Sequence, residues 1–179
     1  QARQFIGDCG VEFSHELDFD RHQSFSISLW VNAQKGESGT VFANCNGEFE
    51  GFRGYRCLLQ PDGTLRVSFS YVWPANCIDF TTQQPLTSNQ WHHLALTYDG
   101  SSRAAGIRLF ANGRELARRV HTDNLQKSID YGENKSHWEG GTDVPFMLGK
   151  DFRTSIKNVA MDELRAYDRQ LSAVEVSEL

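Results

Sequence analysis

The 179-residue sequence lacks the features that define several large classes of protein. No apolar run approaches the roughly 20 residues that a membrane-spanning helix requires, which excludes a spanning segment. Basic charge is not in excess either, because 18 Lys and Arg stand against 23 Asp and Glu, a formal net charge of −5. A general binder of nucleic acids or of anionic membranes needs a net positive field, so the sequence argues against both partners.

Cysteine is scarce, and its spacing favours no particular chemistry. Cys9, Cys45, Cys57 and Cys77 form no CxxC pair and no zinc-binding spacing. An even number permits two disulfides, with three possible connectivities. It equally permits four buried thiols that behave as small hydrophobic residues. The sequence leaves both alternatives open.

Helical periodicity is also scarce, and an alternation of polar and apolar residues takes its place. The run Ser24–Val31 alternates almost without a fault, as a half-buried strand does. Asn112-Gly113 lies between two further runs and supplies the positive φ angles of a tight hairpin turn. One short helix is predicted at the end of the chain, where Ser172 and Glu175 are spaced as a capping box. Many short strands with frequent turns predict an all-β sandwich or barrel.

Flexible linkers, low-complexity runs and internal repeats are absent, so positions 1–179 are predicted to form a single domain. The chain begins at Gln1 without a signal peptide and stops at Leu179 within the predicted helix, so we expect a module of a larger protein. The polar stretch His121–Thr142 has no periodicity. It is predicted to be a long surface loop of the kind that often carries function.

Aromatic residues make up 12% of the chain, and this proportion excludes a disordered protein. Most of them belong to alternating runs, where a large ring usually packs against its neighbours. We therefore predict that five aromatic residues fill the interior of the sandwich, namely Phe25, Trp30, Trp91, Tyr98 and Phe110.

Four segments carry a resemblance to a known family when they are taken in order. They are Phe25–Val31, Gln90–Gly100, Leu109–Gly113 and Val159–Ser172. Together they resemble the laminin G-like, concanavalin A-like jelly-roll family, over roughly Phe5 to Leu179. The resemblance implies a two-sheet antiparallel β-sandwich with a short C-terminal helix. It also implies that any ligand binds on the concave face of one sheet or on the rim of that face.

The segments around Arg53–Tyr55 and Trp73–Asn76 are most similar to a bacterial subgroup of this family. In that subgroup the module belongs to large exported proteins that also carry cytochrome c-like and other domains. The resemblance therefore implies an extracellular or periplasmic location, with other domains of the parent protein as partners.

Carbohydrate binding is the function that we expect, with a polysaccharide or other glycan as ligand. Sugars stack on flat aromatic rings, and their hydroxyls bond to amide, guanidinium and carboxylate groups. The two-residue period places Tyr71 and Trp73 on one face, and Pro74 places Trp73 at the rim. If the aromatics instead fill the core, a protein–protein or architectural module is the alternative. The candidate ligand-binding residues are Arg53, Tyr55, Tyr71, Trp73, Asn76 and Trp138.

An enzymatic role is the minor alternative. Glycoside hydrolases that resemble this family carry two glutamates flanking an aspartate on an inner strand. Glu16-Leu17-Asp18-Phe19-Asp20 is similar, but it ends in the shorter Asp and precedes the first long strand. We interpret it as an acidic turn. Because a Gly-x-Ser-x-Gly elbow and a phosphate-binding glycine loop are also absent, we predict a non-catalytic protein.

The resemblance also implies a structural calcium ion, held by carboxylate and carbonyl oxygens. Asp162 lies in the closing Asp-Glu-Leu-Arg motif, and Asp8 is the acidic residue near the N-terminus that matches a second ligand. Such an ion would tie the two ends of the domain together. His92 and His93 are not expected to share a metal, because neighbours on a strand point to opposite faces.

Overall fold

The computed structural model describes residues 2–7, 10–13, 17–130, 144–152 and 154–179. Within them the chain forms thirteen strands and the short helix α1 (Ala173–Ser177). The strands make two antiparallel sheets, as the alternation predicts. Among the described residues, no helix has the length and apolar character needed to cross a membrane.

The first sheet contains six strands. Their spatial order is β1 (Arg3–Ile6), β13 (Lys157–Tyr167), β3 (Phe25–Ala33), β8 (Trp91–Tyr98), β9 (Ile107–Ala111) and β10 (Arg114–Glu115).

The second sheet contains seven strands. Their spatial order is β11 (Arg118–Asp123), β7 (Asn76–Thr82), β6 (Leu65–Val72), β5 (Gly54–Leu59), β4 (Gly39–Cys45), β12 (Phe146–Leu148) and β2 (Val11–Phe13). The start of the predicted His121–Thr142 loop is thus the end of strand β11, and positions 131–143 lie outside the described residues.

The main core lies between the two sheets and is built from alternate residues of their central strands. Phe25 of β3 stacks on Phe69 of β6, with 5.7 Å between ring centroids, and Tyr55 of β5 lies 5.0 Å from Phe25. Tyr98 meets the edge of Phe69 at 5.0 Å. The predicted β-sandwich is therefore confirmed, and Phe25 and Tyr98 are interior residues as expected.

The C-terminal helix covers part of the outer face of the six-stranded sheet. Ser172 and Glu175 form the predicted capping box, with each side chain bonded to the backbone amide of the other residue. Val176 packs with Leu171 onto Phe110. Phe110 is therefore buried as predicted, but under the helix and not between the sheets.

The two tryptophans assigned to the interior are not there, and that prediction is wrong. Leu29 and Val31 take the inward positions of β3, so Trp30 between them faces the opposite side of the sheet. There it lies 5.3 Å from the ring of His93, its cross-strand neighbour. Trp91, at the start of β8, is 41% exposed.

Three of the four cysteines are described, and all three are buried free thiols. Burial raises the pKa of Cys45 and Cys57 to about 12 and that of Cys77 to about 11. The alternative in which cysteines act as small hydrophobic residues holds for these three, and Cys9 lies outside the described residues.

Candidate functional site

Tyr55 belongs to the core and not to a binding face. Its side chain has no exposed surface, and its hydroxyl donates a hydrogen bond of 2.6 Å to the carbonyl of Leu17. Burial raises the pKa of this phenol well above its ordinary value of 10. A ligand outside the sandwich cannot reach this ring, so the prediction of Tyr55 as a ligand-binding residue is corrected.

Tyr71 and Trp73 do not share a face, because strand β6 changes register between Ser70 and Val72. An irregularity of this kind interrupts the two-residue alternation. Tyr71 packs against the main core. Its ring also makes a cation–π contact with Lys127, whose Nζ lies 4.7 Å from the ring centroid. The interpretation of the two rings as one stacking surface is therefore corrected.

Arg53 and Asn76 hold the chain that follows β11. The Arg53 guanidinium lies 5.0 Å from the Tyr71 ring and donates to the carbonyl of Asp130. Asn76 accepts hydrogen bonds from the amides of Gln126 and Lys127, at 3.1 and 3.2 Å. Their polar groups thus bond to backbone. Trp138, the remaining candidate, lies outside the described residues.

The outer face of the seven-stranded sheet is polar at its centre. Its inward positions are filled by core residues, so the alternate positions Arg56, Ser68 and Asp79 form a cross-strand row on the outer side. Asp79 is only 2% exposed and accepts both hydrogen bonds of a two-point ion pair from Arg66, at 2.8 and 2.6 Å. The bond to Asp79 raises the pKa of Arg66.

Trp73 closes over this polar centre. The guanidinium carbon of Arg66 lies 5.4 Å from the Trp73 ring, and Phe52 meets the same ring at 6.4 Å in an edge-on arrangement. The Trp73 amide is anchored by a bond of 2.8 Å to the carbonyl of Gly51. Its indole Nε1 is buried and has no hydrogen-bond partner. Trp73 is therefore a partly buried cover for arginine and not an open stacking platform.

Arg56 occupies the middle of strand β5 on the same outer face. Its Nε donates a 3.0 Å bond to the hydroxyl of Ser68, and its guanidinium carbon lies 3.7 Å from the centroid of the Phe52 ring. Burial lowers the pKa of Arg56, because the surrounding protein removes part of the water from its charge. Among the described residues, no carboxylate forms an ion pair with it.

A cavity of about 380 Å³ opens beside this arginine, between strands β4 and β5 and the two segments that follow β4 and β12. We call it the Arg56 cavity. The polar, charged and aromatic residues that line it include Thr40, Asn46, Glu48, Phe52, Arg56, Asp151 and Phe152.

The polar groups of the Arg56 cavity are held in place by the protein. The hydroxyl of Thr40 donates to Asp151, at 3.1 Å, and the other oxygen of Asp151 accepts the amide of Thr154 at 2.8 Å. Asn46 donates from its amide nitrogen to Glu50, so its Oδ1 is directed elsewhere and is buried without a partner. Such a rigid set of donors and acceptors suits a polar ligand of defined shape.

Two aromatic rings border the same cavity. The Phe52 ring packs against the Arg56 guanidinium. The backbone of Phe52 takes a positive φ of 52° in the turn between Gly51 and Gly54, the first residue of strand β5. Phe152 is 49% exposed. Neither ring was among the sequence candidates. The available signals were the glycine-rich turn around Phe52 and an arginine at an outward position of a central strand.

The acidic segment near the N-terminus organises loops. Asp18 accepts a bond from Asn44 at 2.8 Å. Asp20 accepts the amides of Arg21 and Ile129, at 2.7 and 2.8 Å. Burial raises the pKa of Asp20, but these amide bonds outweigh that effect and lower it overall. The two aspartates therefore behave as the acidic turn that we inferred, and Glu16 lies outside the described residues.

The predicted calcium ligands receive no support from the local geometry. No cluster of three or more metal-ligating side chains occurs in the part of the chain that the structure describes. Asp162 accepts the amide of Glu163 at 2.9 Å, and Asp8 lies outside the described residues. The ion stays a prediction.

The sequence over residues 6–177 matches a laminin G-type family model described as the concanavalin A-like lectin/glucanases superfamily. No curated protein matches the chain.

Three solved structures are similar in fold. The CBM40 of Ruminococcus gnavus IT-sialidase aligns with 99% of this chain and 95% of its own, at 14% identity and a TM-score of 0.66. The SAP-like pentraxin of Limulus polyphemus aligns over 98% and 79%, at 15% identity and a TM-score of 0.63. The binding domain of Paraclostridial Mosquitocidal Protein 1 is 18% identical, with a TM-score of 0.64 over 94% of this chain. This chain spans only 39% of that domain.

Proposed function

Because the chain belongs to the concanavalin A-like lectin/glucanase superfamily, we propose that it is a non-catalytic module that binds glycan in the Arg56 cavity. The observation that carries the proposal is the combination within one cavity of exposed Phe152 with the polar groups of Thr40 and Asp151. A pyranose ring has an apolar face that packs on an aromatic side chain. Its hydroxyls both donate and accept hydrogen bonds, which an Asp151 carboxylate and an arginine match.

The size of the cavity agrees with this class of ligand. Its volume of about 380 Å³ falls within the range of small-molecule sites, which bury most of their ligand. The CBM40 of Ruminococcus gnavus has also been solved bound to α2,3-sialyllactose. That protein has this fold and binds a glycan, which supports the same class of function here.

We further propose that the module works within an exported, multidomain protein, in the extracellular or periplasmic space. The support is the resemblance to the bacterial subgroup, together with a similar structure that is the binding domain of a larger protein. A protein–protein or architectural module is the alternative, and the following experiment separates the two.

The test is a glycan array probed with the wild-type protein, Phe152→Ala and Trp91→Ala. We expect the wild type to retain a defined set of glycans. Loss of the Phe152 ring is expected to weaken their binding about fivefold or more, since an aromatic contact is worth roughly 1 kcal/mol. Trp91 is the matched control because it is similarly exposed, at 41% against 49%, but lies in the other sheet.

Retention of no glycan by a folded wild-type protein would overturn the proposal and favour the architectural alternative. Equal losses in the two variants would show that binding does not use the Arg56 cavity.

A further inference from the structure

We propose that Arg56 recognises a carboxylate of the ligand, so that the module selects acidic sugars. The inference rests on the proposed glycan-binding function and adds the chemical class of the ligand. It depends on how the Arg56 guanidinium is held and on what surrounds it.

The Arg56 side chain is oriented before any ligand arrives. Its Nε is bonded to Ser68, and the face of its guanidinium lies against the Phe52 ring at 3.7 Å. These two contacts set both the direction and the plane of the guanidinium. The two terminal amino groups make no hydrogen bond to the described residues, and neither is sealed away from solvent. The two terminal amino groups of the Arg56 guanidinium therefore have a fixed orientation on the side of the sheet where the cavity lies.

The neighbouring charged groups are already engaged. Arg66 is paired with Asp79 through two hydrogen bonds, and Asp79 and Asp151 act on the Arg56 charge from a distance without a hydrogen bond to it. The oxygens of Asp151 accept bonds from Thr40 and Thr154. Arg56 is thus a half-buried cation of the described cavity wall that keeps its charge without an ion-pair partner.

The contacts with Ser68 and Phe52 replace only part of the water that Arg56 loses on burial, and its terminal amino groups stay available to an anion. A carboxylate is planar and accepts two parallel hydrogen bonds from the terminal amino groups of a guanidinium. Such charge-assisted bonds are about twice as strong as those to a neutral hydroxyl. Uronic acids and sialic acids both carry a carboxylate on a pyranose ring, and this shared group is what the geometry selects.

The experiment measures binding to matched pairs of sugars that differ by a carboxylate. One pair is methyl β-glucuronide and methyl β-glucoside, and the other is α2,3-sialyllactose and lactose. Each is titrated by calorimetry against the wild type, Arg56→Met, Arg56→Lys and Arg119→Met. Arg119 is the matched control, because it is an exposed arginine on the edge strand β11 of the same sheet, three strands from Arg56.

We expect the wild type to prefer the acidic member of at least one pair by about tenfold, and to retain mainly carboxylated glycans on the array. Arg56→Met should remove the preference and leave the weak binding of the neutral member. Arg56→Lys should keep only part of it, because an ammonium is a point charge without the planar fork. Arg119→Met should behave as the wild type. The preferred pair identifies the source of the carboxylate as a uronic or a sialic acid.

Several results would overturn the inference while the proposed function stands. The first is equal binding of both members of each pair. The second is retention on the array of neutral glycans only. The third is a preference for the acidic member that survives in Arg56→Met. Binding of no glycan by the wild type would instead remove both proposals. Melting curves of all four proteins confirm that each variant is folded.

Discussion

Arg66 and Asp79 form a two-point ion pair on the outer face of the seven-stranded sheet, with N–O distances of 2.8 and 2.6 Å. One strand away, Arg56 faces the same side with no acidic partner among the described residues. Two arginines in similar positions therefore have different tasks. The first is engaged in an ion pair within the sheet, and we propose that the second binds the ligand.

Removal of Arg66 should destabilise the protein. In Arg66→Met the Asp79 carboxylate, which is 2% exposed, remains buried without its partner. We expect a loss of about 2 kcal/mol in the free energy of unfolding, less than for a fully buried pair because the Arg66 side chain is 32% exposed. Urea unfolding measures it, and Arg66→Met/Asp79→Leu should recover most of the loss. An unchanged midpoint in Arg66→Met would contradict the assignment.

Removal of Arg56 should leave stability unchanged or raise it slightly. The charge of Arg56 has no ion-pair partner in the described structure, whereas a methionine side chain still packs on Phe52. Thermal unfolding of Arg56→Met should therefore show a midpoint equal to or above that of the wild type. A fall of more than about 4 °C, equivalent to roughly 1 kcal/mol, would mean that Arg56 stabilises the fold.

The C-terminal helix should loosen at acid pH. The bond from Arg169, with those from Ser172, lowers the pKa of Glu175 from 4.5 to about 2. A carboxyl whose folded-state pKa is depressed stabilises the fold above pH 4.5, and that contribution is lost as the pH falls through about 2. The protection of the Val176 amide, measured against its intrinsic exchange rate, should therefore fall between pH 4.5 and 2.

The matched variant is Glu175→Gln, which cannot ionise. Its Val176 amide should exchange at a rate that depends on pH only through the intrinsic chemistry. The same loss of protection in both proteins would assign the acid sensitivity to another group.

The calcium prediction is tested by thermal unfolding with calcium and with chelator. If Asp162 and Asp8 hold a structural ion, chelation lowers the midpoint of the wild type and has no effect on Asp162→Asn. An unchanged wild-type midpoint would contradict the prediction.

The fold followed from the sequence because its signals are local. Alternation over Ser24–Val31, the turn at Asn112-Gly113 and the capping box at Ser172 were each readable from adjacent residues, and each is present. The same alternation places Trp30 in register with Ser26 and Ser28, on the face opposite Leu29 and Val31. The position of Trp30 outside the core was therefore readable from the sequence, and the assignment to the interior followed its size and not its register.

The candidate site was less predictable, since its geometry depends on contacts between distant strands. The register change after Ser70 places Tyr71 and Trp73 on different faces, and no pattern in the neighbouring sequence predicts this change. Phe52 was not among the candidates because its position on Arg56 requires a positive φ in a non-glycine residue.

The sequence by itself determined the strands with a clear alternation, such as β3 and β8, the Asn112-Gly113 turn, the terminal helix and the family. These depend on periodicity and on residues close in the chain. Only the tertiary structure decided that Arg66 forms an ion pair with a carboxylate and that Arg56 does not. Strand register places Asp79 within reach of Arg66, while Arg56 meets Ser68 and Phe52. A hydrogen-bond partner is set by distances of about 3 Å across strands, and those distances exist only once the sheet has formed.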